Sequence, residues 1–316
     1  NPYFIDFDTL RQEGLLKKSD YVDLKWQDSD KQVNYSKIYN NCYKVLKAAY
    51  KTYRHDLSQR YKDFANENSY WLDDYALFMA LKFKNDGKPW YEWDSKLAQR
   101  DPKALKKVSE ELNKDIEFFK FIQYKFFSQW TNLKKYANDK GIEIIGDMPI
   151  YVSYDSVDVW VSPELFLLDK NKKPLDVAGC PPDEFAVTGQ LWGNPIYDWE
   201  YHKKQNYQWW INRLKFSVSI YDILRIDHFR GFESFYAIPY GNETAENGEW
   251  RKGPGAALFK AAEKELGELN IIAEDLGFIT EDVRSMLSEV GYPGMKVMQF
   301  AFGNGSADEN LPHNFT

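Results

Sequence analysis

The stretch Ile223-Leu224-Arg225-Ile226-Asp227-His228-Phe229-Arg230-Gly231-Phe232 sets the fold and the chemistry of this chain. Its Ile and Leu positions give the apolar body of a short buried strand that ends in charge. Side chains alternate along a strand with period two, so Arg225 and Asp227 point to the same side. A guanidinium beside a carboxylate holds it ionised at a lowered pKa. An ionised Asp at the end of a strand is suited to act as a nucleophile or a metal ligand. A structural ion pair beneath a loop is the competing reading of these residues.

The chain has 316 residues, enough for one large core or two modest ones. Its net charge of −7 argues against a nucleic-acid footprint. No apolar run reaches the length of a membrane span, and Asn1-Pro2-Tyr3-Phe4-Ile5-Asp6 has neither the basic region nor the apolar core of a signal peptide. Cys42 and Cys180 are the only cysteines and lie far apart, which fits a reducing cytoplasm better than a disulfide scaffold. With four His and no metal-ligand spacing, no cofactor or metal is expected. The aromatic content of 17%, including 11 Trp, fits either an aromatic core or platforms for a ligand with flat apolar faces, such as a sugar ring, and leans weakly toward carbohydrate.

Outward from the opening stretch, the spacing of apolar residues predicts helices over 36–60, 71–84, 207–219, 255–266 and 281–290. Trp90-Tyr91-Glu92-Trp93 reads as an aromatic loop, for packing or for binding. Asp101-Pro102 opens a long helix with a break near Asn113-Lys114, and Gly141 is placed to end it. Buried strands are expected over 142–149, 270–275 and 295–300. Residues 151–206 lack periodicity and read as an ordered binding loop. Four segments result. Residues 1–100 form an extended opening and a mostly helical insertion, and 101–150 a barrel helix with the strand ending in Asp147. Residues 151–206 form a loop-rich insertion, and 207–316 the βα units that carry Asp227 and Glu274.

Alternating helices and strands imply a parallel sheet. Three inferred strands end in Asp147, Asp227 and Glu274. In an α/β fold of the (β/α)8 TIM-barrel class such strand ends meet at one face, where the chemistry sits. Carboxylates gathered there can hold a divalent metal or work on a glycosidic bond. Arg225 would compete with a cation for Asp227. The apolar Ile271-Ile272-Ala273 before Glu274 would raise its pKa toward that of a general acid. One carboxylate held ionised and one held protonated, about 5–5.5 Å apart, are the requirements of a retaining glycosidase.

Four segments then carry a family resemblance. Arg225-Ile226-Asp227-His228-Phe229-Arg230-Gly231-Phe232 resembles the nucleophile motif of the 4-α-glucanotransferases (amylomaltases, glycoside hydrolase family 77). Ile145-Gly146-Asp147-Met148-Pro149-Ile150-Tyr151-Val152 is similar to another strand of that family. Pro181-Pro182-Asp183 with Thr188-Gly189-Gln190-Leu191-Trp192-Gly193-Asn194-Pro195 resembles its active-site loop, and Ala273-Glu274-Asp275-Leu276-Gly277 its acid/base strand. The resemblance implies Asp227 as nucleophile, Glu274 as acid and base, and Arg225 as the holder of Asp227. Asp147, Tyr151 and Asp183 would contact sugar. For Asp147 the alternative is a carboxylate that only orders the barrel mouth. Gln190, Trp192 and Asn194 would shape the acceptor side, with loop packing as the alternative for Trp192. His228 would bind sugar hydroxyls or only pack. The substrates implied are maltooligosaccharides or α-1,4-glucans, with glucose as an acceptor and no membrane or nucleic-acid partner. An α-amylase-like hydrolase, a metal-dependent barrel enzyme and a non-catalytic sugar-binding fragment are the other readings. The family's third carboxylate lies in a His-Asp-Asn motif that does not follow Phe300. The chain is therefore expected to be a central fragment holding about half the barrel strands, inactive by itself.

Overall fold

A computed structural model describes every residue except 30, 54–58, 185, 278, 303–307, 309, 315 and 316. The chain forms two compact units, residues 1–136 and 137–316.

The first unit is helical. Its elements are α1 (Phe7–Gln12), α2 (Tyr35–Thr52), α3 (Gln59–Glu67), α4 (Ser69–Lys84), α5 (Ser95–Ala98), α6 (Pro102–Glu111) and α7 (Asn113–Asn138), the last running just past the unit's end. The expected helix over 36–60 stops at Thr52, and Tyr53 turns to extended backbone; 54–58 lie outside the described residues. The Asp101-Pro102 start holds: the Asp101 carboxylate accepts the Ala104 N–H at 2.9 Å. So does the break, which falls between Glu111 and Asn113. The core is an aromatic lattice in which Phe83 meets Tyr43 and Phe119 edge to face, each at 5.0 Å. Trp90 and Trp93 are buried in it, so the aromatic loop packs, and its first residues form a 3-10 turn, Trp90–Glu92. Much of the aromatic excess is therefore core.

The second unit holds two sheets. β1 (Ile145–Pro149), β4 (Ile223–Asp227) and β7 (Ile271–Ala273) form a parallel sheet in the order β1-β4-β7. α8 (Val157–Val161), α9 (Trp199–Lys204), α10 (Gln208–Ile220), α11 (Ala256–Leu266) and α12 (Glu281–Val290) complete the unit. Parallel strands joined through helices place this α/β fold with the (β/α)8 barrels, three of whose strands are seen here. α12 has the predicted bounds, and the Thr280 side chain accepts from Val283 N–H at its start. Among the described residues, no helix is long and apolar enough to cross a membrane.

Three expectations need correction. β1 is shorter than 142–149, only alternate residues are buried, and Asp147 lies inside the strand rather than at its end. Among the described residues β4 alone pairs with it, so β1 is an edge strand. The stretch 151–206 is not loop throughout: β2 (Asp176–Cys180) and β3 (Gln190–Pro195) join β5 (Ser234–Pro239) and β6 (Glu249–Lys252) in an antiparallel sheet ordered β3-β2-β5-β6. Finally, 295–300 is not a strand. It leads into a 3-10 turn, Met298–Phe302, and the Val297 N–H bonds the Asn310 side chain instead of a neighbouring strand.

Candidate active site

The parallel register supplies what sequence spacing could not. Asp147 on β1 lies directly beside Arg225 on β4, and Pro149 beside Asp227. The Arg225 guanidinium therefore bridges two carboxylates: Nη1 donates to Asp147 Oδ1 at 2.5 Å, and Nη2 to Asp227 Oδ1 at 3.0 Å. Two charge-assisted bonds to a half-buried guanidinium fix both side chains. They also push the Arg225 pKa up, against the opposing effect of its burial.

β4 ends at Asp227, and His228 turns into the left-handed region, φ 52°. This turn directs the His228 backbone N–H at Glu274 Oε2, 2.8 Å away. Glu274 Oε1 accepts the Leu276 N–H at 2.8 Å. The Glu274 main chain continues the ladder past the end of β7: its N–H donates to Ile226 O at 3.0 Å, and its carbonyl accepts from Phe229 N–H at 3.1 Å. The backbone thus holds Glu274 next to the strand that ends in Asp227. Burial is the largest influence on its carboxyl and raises the pKa, with the Asp227 charge acting the same way; the two N–H bonds and Arg225 act against it, and the net shift is upward.

The aromatic wall comes from β3 and the turn after β1. Trp192 meets the His228 ring edge to face at 4.8 Å and lies 6.2 Å from the Tyr151 ring. Its indole Nε1–H donates to Gln190 Oε1 at 3.0 Å, which fixes both side chains. His228 Nε2 is buried with no hydrogen-bond partner among the described residues, and burial lowers the imidazole pKa to about 4, so the ring is neutral near pH 7. Hydrogen bonds join Asp147, Arg225 and Asp227, and a second set of contacts joins Glu274, His228, Trp192, Gln190 and Tyr151; the two sets meet at the chain step from Asp227 to His228. Two other candidates are engaged with backbone. The Asn194 amide donates to Val152 O at 2.8 Å, and the exposed Asp183 carboxylate accepts the Ala186 N–H at 2.6 Å within its own turn.

Sequence reasoning missed the supports behind these residues. Arg213 on α10 donates to Pro149 O at 2.6 Å, Ile150 O at 3.0 Å and the Tyr197 hydroxyl at 3.1 Å, pinning the turn that carries Tyr151. Tyr197 donates to Ile150 O at 2.8 Å and stacks with the Tyr151 ring at 5.9 Å. A charge four residues after Trp209 and next to the buried Leu214 was the available signal for Arg213.

The family model described as 4-alpha-glucanotransferase matches residues 1–316. The chain is 49% identical over 316 residues to a 4-alpha-glucanotransferase of Clostridium butyricum, covering 100% of this chain and 65% of that one. It is 50% identical to one from Streptococcus pneumoniae, covering 99% and 62%. A solved structure, an amylomaltase from Streptococcus agalactiae in complex with acarbose, superposes with a TM-score of 0.95 at 44% identity, covering 100% of this chain and 64% of that one. The chain thus spans slightly under two thirds of the length of these relatives.

Proposed function

Because the chain belongs to the 4-alpha-glucanotransferase family, we propose that the full-length protein moves a segment of an α-1,4-glucan onto the 4-hydroxyl of glucose or of another glucan. The observation that carries this reading is the pairing of two differently held carboxylates at adjacent strand ends. Asp227 is bonded to a guanidinium; Glu274 is raised by burial and held by the N–H of the residue after Asp227.

In the first step an Asp227 oxygen attacks the anomeric carbon as the glycosidic C–O bond breaks. The departing 4-oxygen takes the Glu274 proton, leaving a glycosyl ester on Asp227 and a carboxylate at Glu274. In the second step Glu274 takes the proton of the incoming 4-hydroxyl, whose oxygen displaces Asp227 and restores the original anomeric configuration. Arg225 holds the nucleophile in place. Asp147, only partly engaged by Arg225 and well exposed, contacts the bound sugar; Tyr151, Trp192, Gln190 and the neutral His228 form its wall, while Asn194 and Asp183 shape the surrounding turns. Residues 151–206 serve as the active-site insertion and 207–316 as the part that carries both catalytic groups. Maltooligosaccharides are the proposed donors, and no cofactor takes part. The free thiols of Cys42 and Cys180 support a cytoplasmic location.

The test is mass spectrometry of the products formed from maltotriose by the full-length protein. A ladder of longer and shorter glucans is expected, and glucose and maltose alone would make water the acceptor and overturn transfer. Asp227→Asn is expected to lower turnover by about 1,000-fold or more and to abolish the covalent intermediate. Normal turnover in that variant would remove Asp227 from the nucleophile's role.

A further inference from the structure

We propose that Met295 is a positioning residue for the reaction, acting through Arg225. The proposal rests on the role given to Asp227 above. A guanidinium has three nitrogen positions in one plane, and rotation within that plane decides which acceptor each one meets. Two positions of Arg225 face Asp147 and Asp227; the third, Nε–H, donates to the Met295 thioether sulfur at 3.1 Å. A thioether is a weak and neutral acceptor. It satisfies the third donor and fixes the plane while adding no negative charge to compete with Asp227 for the cation.

Met295 is itself held. Its N–H donates to Asp275 Oδ1 at 2.7 Å, and Asp275 directly follows Glu274. The Asp275 carboxyl lies against Gly294, where an added Cβ would come within 2.3 Å of Oδ2, so only glycine permits that approach. The neighbouring Pro293 carbonyl accepts the Ala273 N–H of β7 at 2.8 Å. The segment carrying Met295 is therefore tied to the strand that leads to Glu274, and through the sulfur to the arginine that holds Asp227. One chain of contacts joins the supports of the two catalytic carboxylates.

Met295→Leu keeps similar volume without an acceptor, and Met295→Gln restores one as an amide oxygen. In the full-length protein with maltotriose, Met295→Leu is expected to lower kcat about tenfold with KM within about twofold and an unchanged melting temperature, and Met295→Gln to recover most of the loss. Wild-type kcat in Met295→Leu overturns the proposal. Equal losses in both variants with a lowered melting temperature also overturn it, since they assign Met295 to packing, and a raised KM at constant kcat does so by placing the side chain on the substrate. Asp227→Asn, measured alongside, separates the two levels. An active Asp227→Asn refutes the proposed function; an inactive Asp227→Asn with a normal Met295→Leu refutes only the positioning role.

Discussion

At the scale of single residues, Glu274 is the group whose surroundings work against each other. Burial and the Asp227 charge raise its pKa, and the His228 and Leu276 N–H groups lower it, with burial ahead. A raised pKa keeps more of the acid protonated as pH rises, so the alkaline limb of kcat/KM is expected above the ordinary Glu value of about 4.3. Glu274→Gln should remove that limb and slow substrates with poor leaving groups by about 100-fold or more, while activated substrates lose far less. Rate profiles against pH for both substrate types check this; an unchanged limb in the Gln variant would assign the acid role elsewhere. The Arg225–Asp227 pair was legible from a spacing of two in a strand. The bonds from Arg225 to Asp147 and Met295 were not, because 78 and 70 residues of chain separate the partners and only the register and the path of the loop after α12 bring them together.

At the scale of elements, α4 and α12 could be read from their 3.6-residue period and their flanking signals, since a helix is built from neighbours in sequence. β2 and β3 could not. Asp176-Val177-Ala178-Gly179-Cys180 and Gln190-Leu191-Trp192-Gly193-Asn194-Pro195 contain Gly and Pro where a strand pattern wants branched residues, and their pairing depends on each other and on the distant β5. Gly179 shows why the pattern is broken. A Cβ there would lie 2.1 Å from the Gln190 backbone oxygen and 2.5 Å from Ile238 Cδ1, so β3 can approach β2 only over a glycine. Gly179→Ala is expected to destabilise the second unit by about 1–3 kcal/mol and to shift β3, which bears Gln190 and Trp192. Thermal unfolding followed by circular dichroism checks the first effect, and an unchanged midpoint would mean that the strands separate without cost.

At the scale of the whole molecule, the fold class was legible from the order of the elements, because helix–strand alternation leaves few solutions. The division into two compact units was not, since the aromatic residues that fill the first unit show no period that separates core from ligand platform. Stability should follow buried imidazole. His202 is 1% exposed, and burial lowers its pKa to about 4. The unfolded chain then binds this proton more tightly than the folded one. His202 therefore causes no loss above pH about 6.5 and a destabilisation that grows toward pH 4, on the order of 3 kcal/mol. His228 acts in the same direction over the same window. Urea midpoints at pH 7 and pH 4.5 check this, and His202→Phe should reduce the difference, leaving the part due to His228. An equal difference in the variant would assign the acid sensitivity to His228 or to carboxylates instead.

The position of Trp192 gives the molecule an optical property. Some indoles in this chain answer to the protein alone: Trp90, Trp160 and Trp210 are wholly buried and see no change in solvent. Trp192 is half-buried, hydrogen-bonded through its nitrogen to Gln190 and set edge-on against a neutral imidazole beside Asp227. A molecule arriving over that face strips water from one indole among 11. The colour and yield of its emission then register occupancy of the site directly, with no label and no turnover.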